Sequence, residues 1–252
     1  MGSKFVVVLV LFFGVATAVA APATSPAPDE RRPNVLIIGA SSLTGLGDLL
    51  HAMLESRGIA MNIEERGTQL DKLGEMLKSK PVWDYVIMDA WHFGRGRTDA
   101  PAFPDAVTDF VKRVRAYSPN CKIILFAWWL PSPSATNADV MQVFHRCVEA
   151  AKPNHIWVAT TGPAFTEARL ARPDLQIVRS KTDAHPGRHG SYLNACSLFA
   201  AITTQTPVGL PATLKLPGRN ADYTIATSDA KYLQKLAWDV YQRELKNVKP
   251  AD

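Results

Sequence analysis

The chain has 252 residues, 47% of them hydrophobic and 20% charged, an ordinary globular composition with enough apolar material for one sizeable core. Its net charge of +5 comes from 28 Lys and Arg scattered among 23 Asp and Glu, with no basic run and no interleaved aromatics, which excludes nucleic acid as an expected partner. Three cysteines, Cys121, Cys147 and Cys196, cannot make a disulfide framework, and no pair has the spacing of a zinc site.

The chain opens with a short basic "MGSK", an apolar "FVVVLVLFFGVATAVA" and the small residues of "AVAAP". That order is the pattern of a secretory signal peptide over residues 1–21, so the expected location is periplasmic or secreted. The Pro/Ala-rich "PATSPAPDERRP" (22–33) follows as a flexible linker. Residues 34–252 read as a single domain, and no later segment is long and apolar enough to span a membrane after signal cleavage.

Apolar runs and helical patterns then alternate. The predicted strands are "NVLIIG" (34–39), "IAMNIEE" (59–65), "DYVIMDA" (84–90), "KIILFAWW" (122–129) and "HIWVAT" (155–160). They are short, continuous and rich in Val and Ile, as strands covered on both faces are. The predicted helices between them are "LTGLGDLLHAMLESRG", "TQLDKLGEMLKSK", "FPDAVTDFVKRVRAY" and "ATNADVMQVFHRCVEAA". "TGPAFTEARLARPD", "GRHGSYLNACSLFAAITTQ" and "SDAKYLQKLAWDVYQRELK" add three more, with a Pro/Gly-rich surface connection between the last two. This repetition predicts a central parallel sheet of about five strands with right-handed crossovers and helices on both faces, a three-layer α/β/α sandwich. Cys121 begins a strand and Cys147 ends the next helix, points that a crossover brings to one end of the sheet, so a bridge between them is open. Cys196, Trp83 and Trp238 read as core.

In such a sheet function gathers at the carboxyl ends of the strands. Ser41 and Ser42 follow the first strand, Gly67 the second, Asp89 to His92 the third, and Trp128 to Pro131 the fourth. A serine there has two readings. It can cap the next helix, or it can act as a nucleophile whose own N–H lies near a helix N-terminus that favours a developing oxyanion. A nucleophilic serine needs a base. His51, His145 and His155 fall at structural positions, whereas His185 sits in the loop "TDAHPGRHGSYLNAC". In an extended segment residues two apart face the same side, so Asp183 can orient His185 and stabilise its imidazolium. A metal set of Asp183, His185 and His189 lacks a further ligand group, so no metal is expected.

Taken together, "LIIGASSLTG" (36–45), "ERGTQLDKL" (65–73), "WDYVIMDAW" (83–91), "HPGRHGSYLNAC" followed by "TPVGL", and "AKYLQKLAWDVYQ" (230–242) resemble the SGNH (GDSL-like) hydrolases, in the expected order and over nearly the whole mature chain. The resemblance implies the three-layer sandwich and a shallow, open ester-hydrolysing site that needs no cofactor. It implies Ser41 as nucleophile, His185 as base, and the backbone N–H groups of Ser41 and Gly67 as oxyanion donors. Two departures stand out. The family's acid lies three residues before the histidine, where this chain has Thr182, with Asp183 one residue later. The family's Asn after the third strand is replaced by "MDAWHF", which leaves Trp91 Nε1–H or His92 as substitute donors.

Asp89, Trp128 and Trp129 are the candidate substrate contacts, the tryptophans as a sugar-stacking platform or as rim packing. The expected substrate is an O-acyl ester, on a saccharide by the resemblance. The departures keep a second class open, a catalytically weak SGNH-fold module that binds glycan or protein. The oligomeric state is not legible.

Overall fold

The computed structural model describes residues 31–39, 43–67, 70–90, 93, 102–127 and 136–250. Five parallel strands form one sheet: β1 (Asn34–Ile38), β2 (Asn62–Arg66), β3 (Tyr85–Asp89), β4 (Lys122–Phe126) and β5 (Trp157–Ala159), in the order β2-β1-β3-β4-β5. The sheet is layered by α1 (Leu46–Glu55), α2 (Leu73–Lys78), α3 (Phe103–Tyr117), α4 (Asn137–Ala151), α5 (Thr161–Ala171), α6 (Arg188–Thr203) and α7 (Thr227–Val248).

Side chains alternate across each strand, and the core divides accordingly. Val35, Ile37, Ile87, Ile124 and Phe126 pack with residues of α1, α5, α6 and α7, including Leu50, Phe165, Phe199 and Leu233. Leu36, Ile38, Val86, Met88, Ile123 and Leu125 face the other way, onto α2, α3 and α4 through Leu77, Phe110, Val114 and Phe144. The continuous apolar run of β1 is therefore the signature of a strand with a helix layer on each side. Trp83 lies fully buried in the second layer, its indole N–H donating to the Leu77 carbonyl at 3.0 Å.

Several sequence expectations need correction. β2 is an edge strand, Asn62–Arg66 rather than 59–65, and its residues are exposed or half-buried instead of covered on both faces. Its charged Glu64, Glu65 and Arg66 suit an edge, which charge protects from pairing with another chain. β4 stops at Phe126 and β5 spans only Trp157–Ala159. Cys121, Cys147 and Cys196 are all free thiols, each buried among apolar side chains, so no Cys121–Cys147 bridge forms. Trp238 is only partly buried and stacks on Tyr241, with ring centroids 5.5 Å apart. The Pro/Gly-rich connection between α6 and α7 contains a short antiparallel pair, β6 (Thr213–Leu214) and β7 (Tyr223–Thr224).

Lys122, the first residue of β4, ties the layers together. Its ammonium donates to the carbonyls of Ala201 and Ile202 at 2.6 and 3.4 Å and lies over the Trp157 ring at 3.8 Å. A cation at the last carbonyls of a helix satisfies orphan acceptors and opposes the negative end of the dipole. It also sets the direction of α6. The helix's C-terminus is held at the amino edge of the sheet, so its N-terminus, about 24 Å away at 1.5 Å per residue, reaches the carboxyl edge.

Burial lowers the Lys122 ammonium from its ordinary 10.5 to about 8. Between those values the folded protein has released a proton that the unfolded chain still holds, so this group adds stability as pH rises from 8 towards 10.5. Urea unfolding of wild type and Lys122→Met across that range should show a stability difference that moves in favour of wild type with rising pH. A flat difference would contradict the assignment.

Candidate active site

The strand order reverses between β1 and β3, and the crevice outside their carboxyl ends is where open α/β sheets bind ligands. The chain leaves β1 at Gly39, which is buried and whose N–H donates to the Arg66 carbonyl at 3.1 Å. Leu43 lies against Gly39 so closely that any side chain at 39 would overlap it. Ser41 and Ser42 belong to the three residues between these points and lie outside the described residues, as do Trp91, His92, Trp128 and Trp129.

Gly67 follows β2 directly, beside the end of β1, and is exposed. It lines an open cavity of about 350 Å³ with Arg66, Lys72, Glu75, Met76 and Ser79. Asp89 is the last residue of β3 and is fully buried, because both helix layers cover the centre of the sheet. It therefore sits beneath the crevice rather than on an open rim, the position expected of a substrate contact.

α1 starts at Leu46, five residues after Ser41, later than a serine at the head of the helix would require. Its N-terminus is also already occupied. The Glu65 carboxylate accepts from the N–H groups of Gly45 at 3.2 Å and Gly47 at 3.1 Å. The favourable field of a helix falls off within its first turn, so α1's dipole is spent mainly on Glu65.

His185 stands on a small antiparallel hairpin ahead of α6. Arg179 N–H donates to the His185 carbonyl (2.8 Å), Gly187 N–H to the Ile177 carbonyl (2.9 Å), and Val178 bridges Pro186. The turn is closed by Ser180, whose hydroxyl accepts from the N–H groups of Thr182 and Asp183 at 3.2 and 3.0 Å. Gly187 and Gly190 are required by close approach, since a Cβ at either would overlap backbone carbonyls of Gln176 to Val178.

In this turn Asp183, and not Thr182, meets His185. Thr182 is exposed and faces Ser180, its hydroxyl 3.3 Å from Ser180 Oγ. Asp183 Oδ1 lies 2.6 Å from His185 Nδ1 and accepts from His185 N–H at 3.0 Å, while Oδ2 takes Arg179 at 3.3 Å. The two hydrogen bonds from His185, then the Arg179 charge, hold the Asp183 carboxyl below the usual carboxylate range. A charge-assisted contact of this length fixes the imidazole ring and leaves Nε2 as the nitrogen that Asp183 does not engage.

Thr44, Gly45 and Leu46, which follow Ser41, line one cavity of about 120 Å³ with Ser191 and Asn194, which follow His185. The approach to α1 and the first turns of α6 are thus neighbours on the carboxyl edge. Among the described residues no group of three or more His, Cys, Asp or Glu is arranged to hold a metal ion. No helix among them is long and apolar enough to cross a membrane.

Sequence reasoning paired Asp183 with His185 and weighed His189 only as a metal ligand, and it missed Glu65 and the roles of Gly187 and Gly190. The glycines carried a visible signal, three residues apart around the start of a helix. Glu65 and His189 carried none, since their partners are distant in the chain.

No protein-family profile matches the chain, and no curated protein matches it in sequence. Solved structures do. It is similar to a DUF4886 family protein from Bacteroides uniformis, with TM-score 0.64 and 18% identity over 87% of this chain and 100% of that one. It is also similar to a protein assigned as a GDSL-like lipase from Parabacteroides merdae, with TM-score 0.53 and 14% identity over 69% of this chain and 97% of that one. The class is thus the α/β/α sandwich built on a parallel sheet. Within that class, the chain shares its fold with the DUF4886 family protein and with the protein assigned as a GDSL-like lipase.

Three substitutions test the site. Gly190→Ala should destabilise the protein by about 1–3 kcal/mol in urea unfolding, because the new methyl has no room beside Ile177. Asp183→Asn should lower turnover of an ester towards the about 10⁴-fold loss seen in the best-studied triad, whereas Thr182→Ala should stay near wild type. Because its folded value is lowered, Asp183 stabilises the protein above about pH 4, and that contribution is lost as pH falls through the folded value.

Proposed function

We propose that the protein is an exported serine ester hydrolase that removes O-acyl groups, with saccharide esters as its substrates. The observation that carries this reading is the 2.6 Å contact between Asp183 and His185, on a hairpin docked at the start of α6 and beside the approach to α1. The GDSL-like likeness of the fold supports the same reaction class.

In this mechanism Ser41 Oγ attacks the ester carbonyl while His185 Nε2 accepts its proton. Asp183 keeps the His185 proton on Nδ1 and stabilises the imidazolium. The oxyanion is held by the N–H groups of Ser41 and Gly67, with Trp91 Nε1–H or His92 in place of the family's Asn; one such donor is worth roughly 10²–10³ in rate. The imidazolium returns its proton to the departing alcohol, leaving an acyl group on Ser41. Water, deprotonated by His185, then attacks the acyl-enzyme, and the imidazolium returns that proton to Ser41 Oγ as the acid departs. The reaction needs no cofactor. Trp128 and Trp129 follow β4 in the chain and supply the stacking surface for a sugar ring. Cleavage after residue 21 delivers the domain to the periplasm or medium.

A fluorophosphonate probe and a panel of acetylated saccharides test the proposal directly. The folded protein should be labelled and should release acetate. Ser41→Ala should abolish both, and His185→Ala should reduce both sharply. A correctly folded protein that neither labels nor hydrolyses would instead support a binding module on a hydrolase fold.

A further inference from the structure

We propose that His189 is a positioning residue: with Asp229 it forms a second imidazole–carboxylate pair that fixes the register of the hairpin carrying Asp183 and His185, and so sets the aim of the base. The proposal rests on the reading of His185 as general base.

Both main-chain groups of Gln176 end on His189. Gln176 N–H donates to His189 Nδ1 at 3.1 Å, and the Gln176 carbonyl accepts from His189 N–H at 3.2 Å. Gln176 thus meets a side chain where a strand would offer it a backbone acceptor. Since Nδ1 accepts, the ring proton is on Nε2, where it donates to Asp229 Oδ2 at 3.2 Å. Asp229 lies in the first turn of α7, and its other oxygen accepts from Arg172 at 3.2 Å. Arg172 also grips Asp174 through two contacts of 2.6 and 2.8 Å and lies over the Tyr232 ring at 5.5 Å.

These contacts close a ring around the foot of the hairpin. Arg172 to Gln176 is the chain entering it, His189 lies in the first turn of the helix leaving it, and α7 buttresses both. The pair is well shielded, with side chains only 18% and 16% exposed. Both nitrogens of His189 are committed, Nδ1 to an N–H and Nε2 to a carboxylate, so the ring has no lone pair left for a metal or a reacting proton. Its work is therefore mechanical.

A lock is needed at this place. In an extended segment a slip of one residue turns every side chain to the opposite face. Such a slip in 176–178 would carry the turn, and with it the Asp183–His185 pair, away from the crevice. No side chain caps the start of α6, whose N-cap is Gly187, and the imidazole of His189 adds a side-chain anchor to the backbone contacts between hairpin and helix.

The test compares His189→Ala, His189→Asn and Asp229→Asn in the full chain, by steady-state kinetics on an acetylated saccharide and by NMR of the low-field His185 Nδ1–H resonance. His189→Ala should lower kcat by about 10²-fold, the effect expected of a small misplacement, with KM little changed, and should broaden or shift the His185 resonance. The amide oxygen introduced by His189→Asn can still accept from Gln176 N–H and should restore most of both. Asp229→Asn should give an intermediate loss. A folded His189→Ala with unchanged kcat and an unchanged His185 resonance overturns the proposal. So does a His189→Asn variant as impaired as His189→Ala. Should His189→Ala fail to fold, the His189→Asn and Asp229→Asn arms decide alone. Should the wild type prove inactive, the esterase reading fails but the NMR arm still tests the lock.

Discussion

Everything at the candidate site depends on one close approach, the backbone of Gln176 to Val178 against Gly187 and Gly190. With no Cβ between them, the incoming segment lies directly on the start of α6 and exchanges hydrogen bonds with it. That contact fixes where the hairpin leaves and returns. The turn closed by Ser180 then presents Asp183 and His185 on one side, at a separation of 2.6 Å. A larger residue at either glycine would lift the hairpin that carries Asp183 and His185 off the helix.

The scaffold that holds this contact is built from simpler forces. Burying both faces of β1, β3 and β4 gives the sheet its rigidity, at about 25 cal/mol for each Å² of apolar surface removed from water. The edge position of β2 leaves charged side chains free for other work, and Glu65 uses that freedom to satisfy the first N–H groups of α1. Lys122 does the complementary task at the far end of α6. One helix is closed by an anion at its N-terminus and the other by a cation at its C-terminus, as the dipole of each requires. These two contacts orient the helices whose N-termini border the crevice.

The fold was legible because its determinants are local. The runs "NVLII", "YVIMD" and "KIILF" could only be buried strands, and the helical patterns between them demanded crossovers. β2 was misjudged because "IAMNIEE" mixes an apolar start with charges, and only its place at the sheet edge explains the mixture. Asp89 was misjudged for a related reason. The end of a strand looks like a rim in sequence, yet the centre of this sheet is covered even there. The Asp183–His185 pair was legible because two residues of extended chain settle it. His189 was not, because its meaning comes from Gln176 and from Asp229, which lies 40 residues away in the chain.

The arrangement also bears on how negative charge is stabilised at this crevice. A helix N-terminus is the usual source of such stabilisation, but the first N–H groups of α1 are already bonded to Glu65. In the mechanism proposed above, the oxyanion that forms on the substrate draws on the N–H groups of Ser41 and Gly67, which follow β1 and β2 in the chain. Gly67 suits that role for a structural reason. It follows β2 immediately beside the end of β1, and an added Cβ there would meet no heavy atom within 4 Å, so its backbone borders open space. In that mechanism the short step from Arg66 to Gly67, rather than the head of α1, is the element on which the rate should depend.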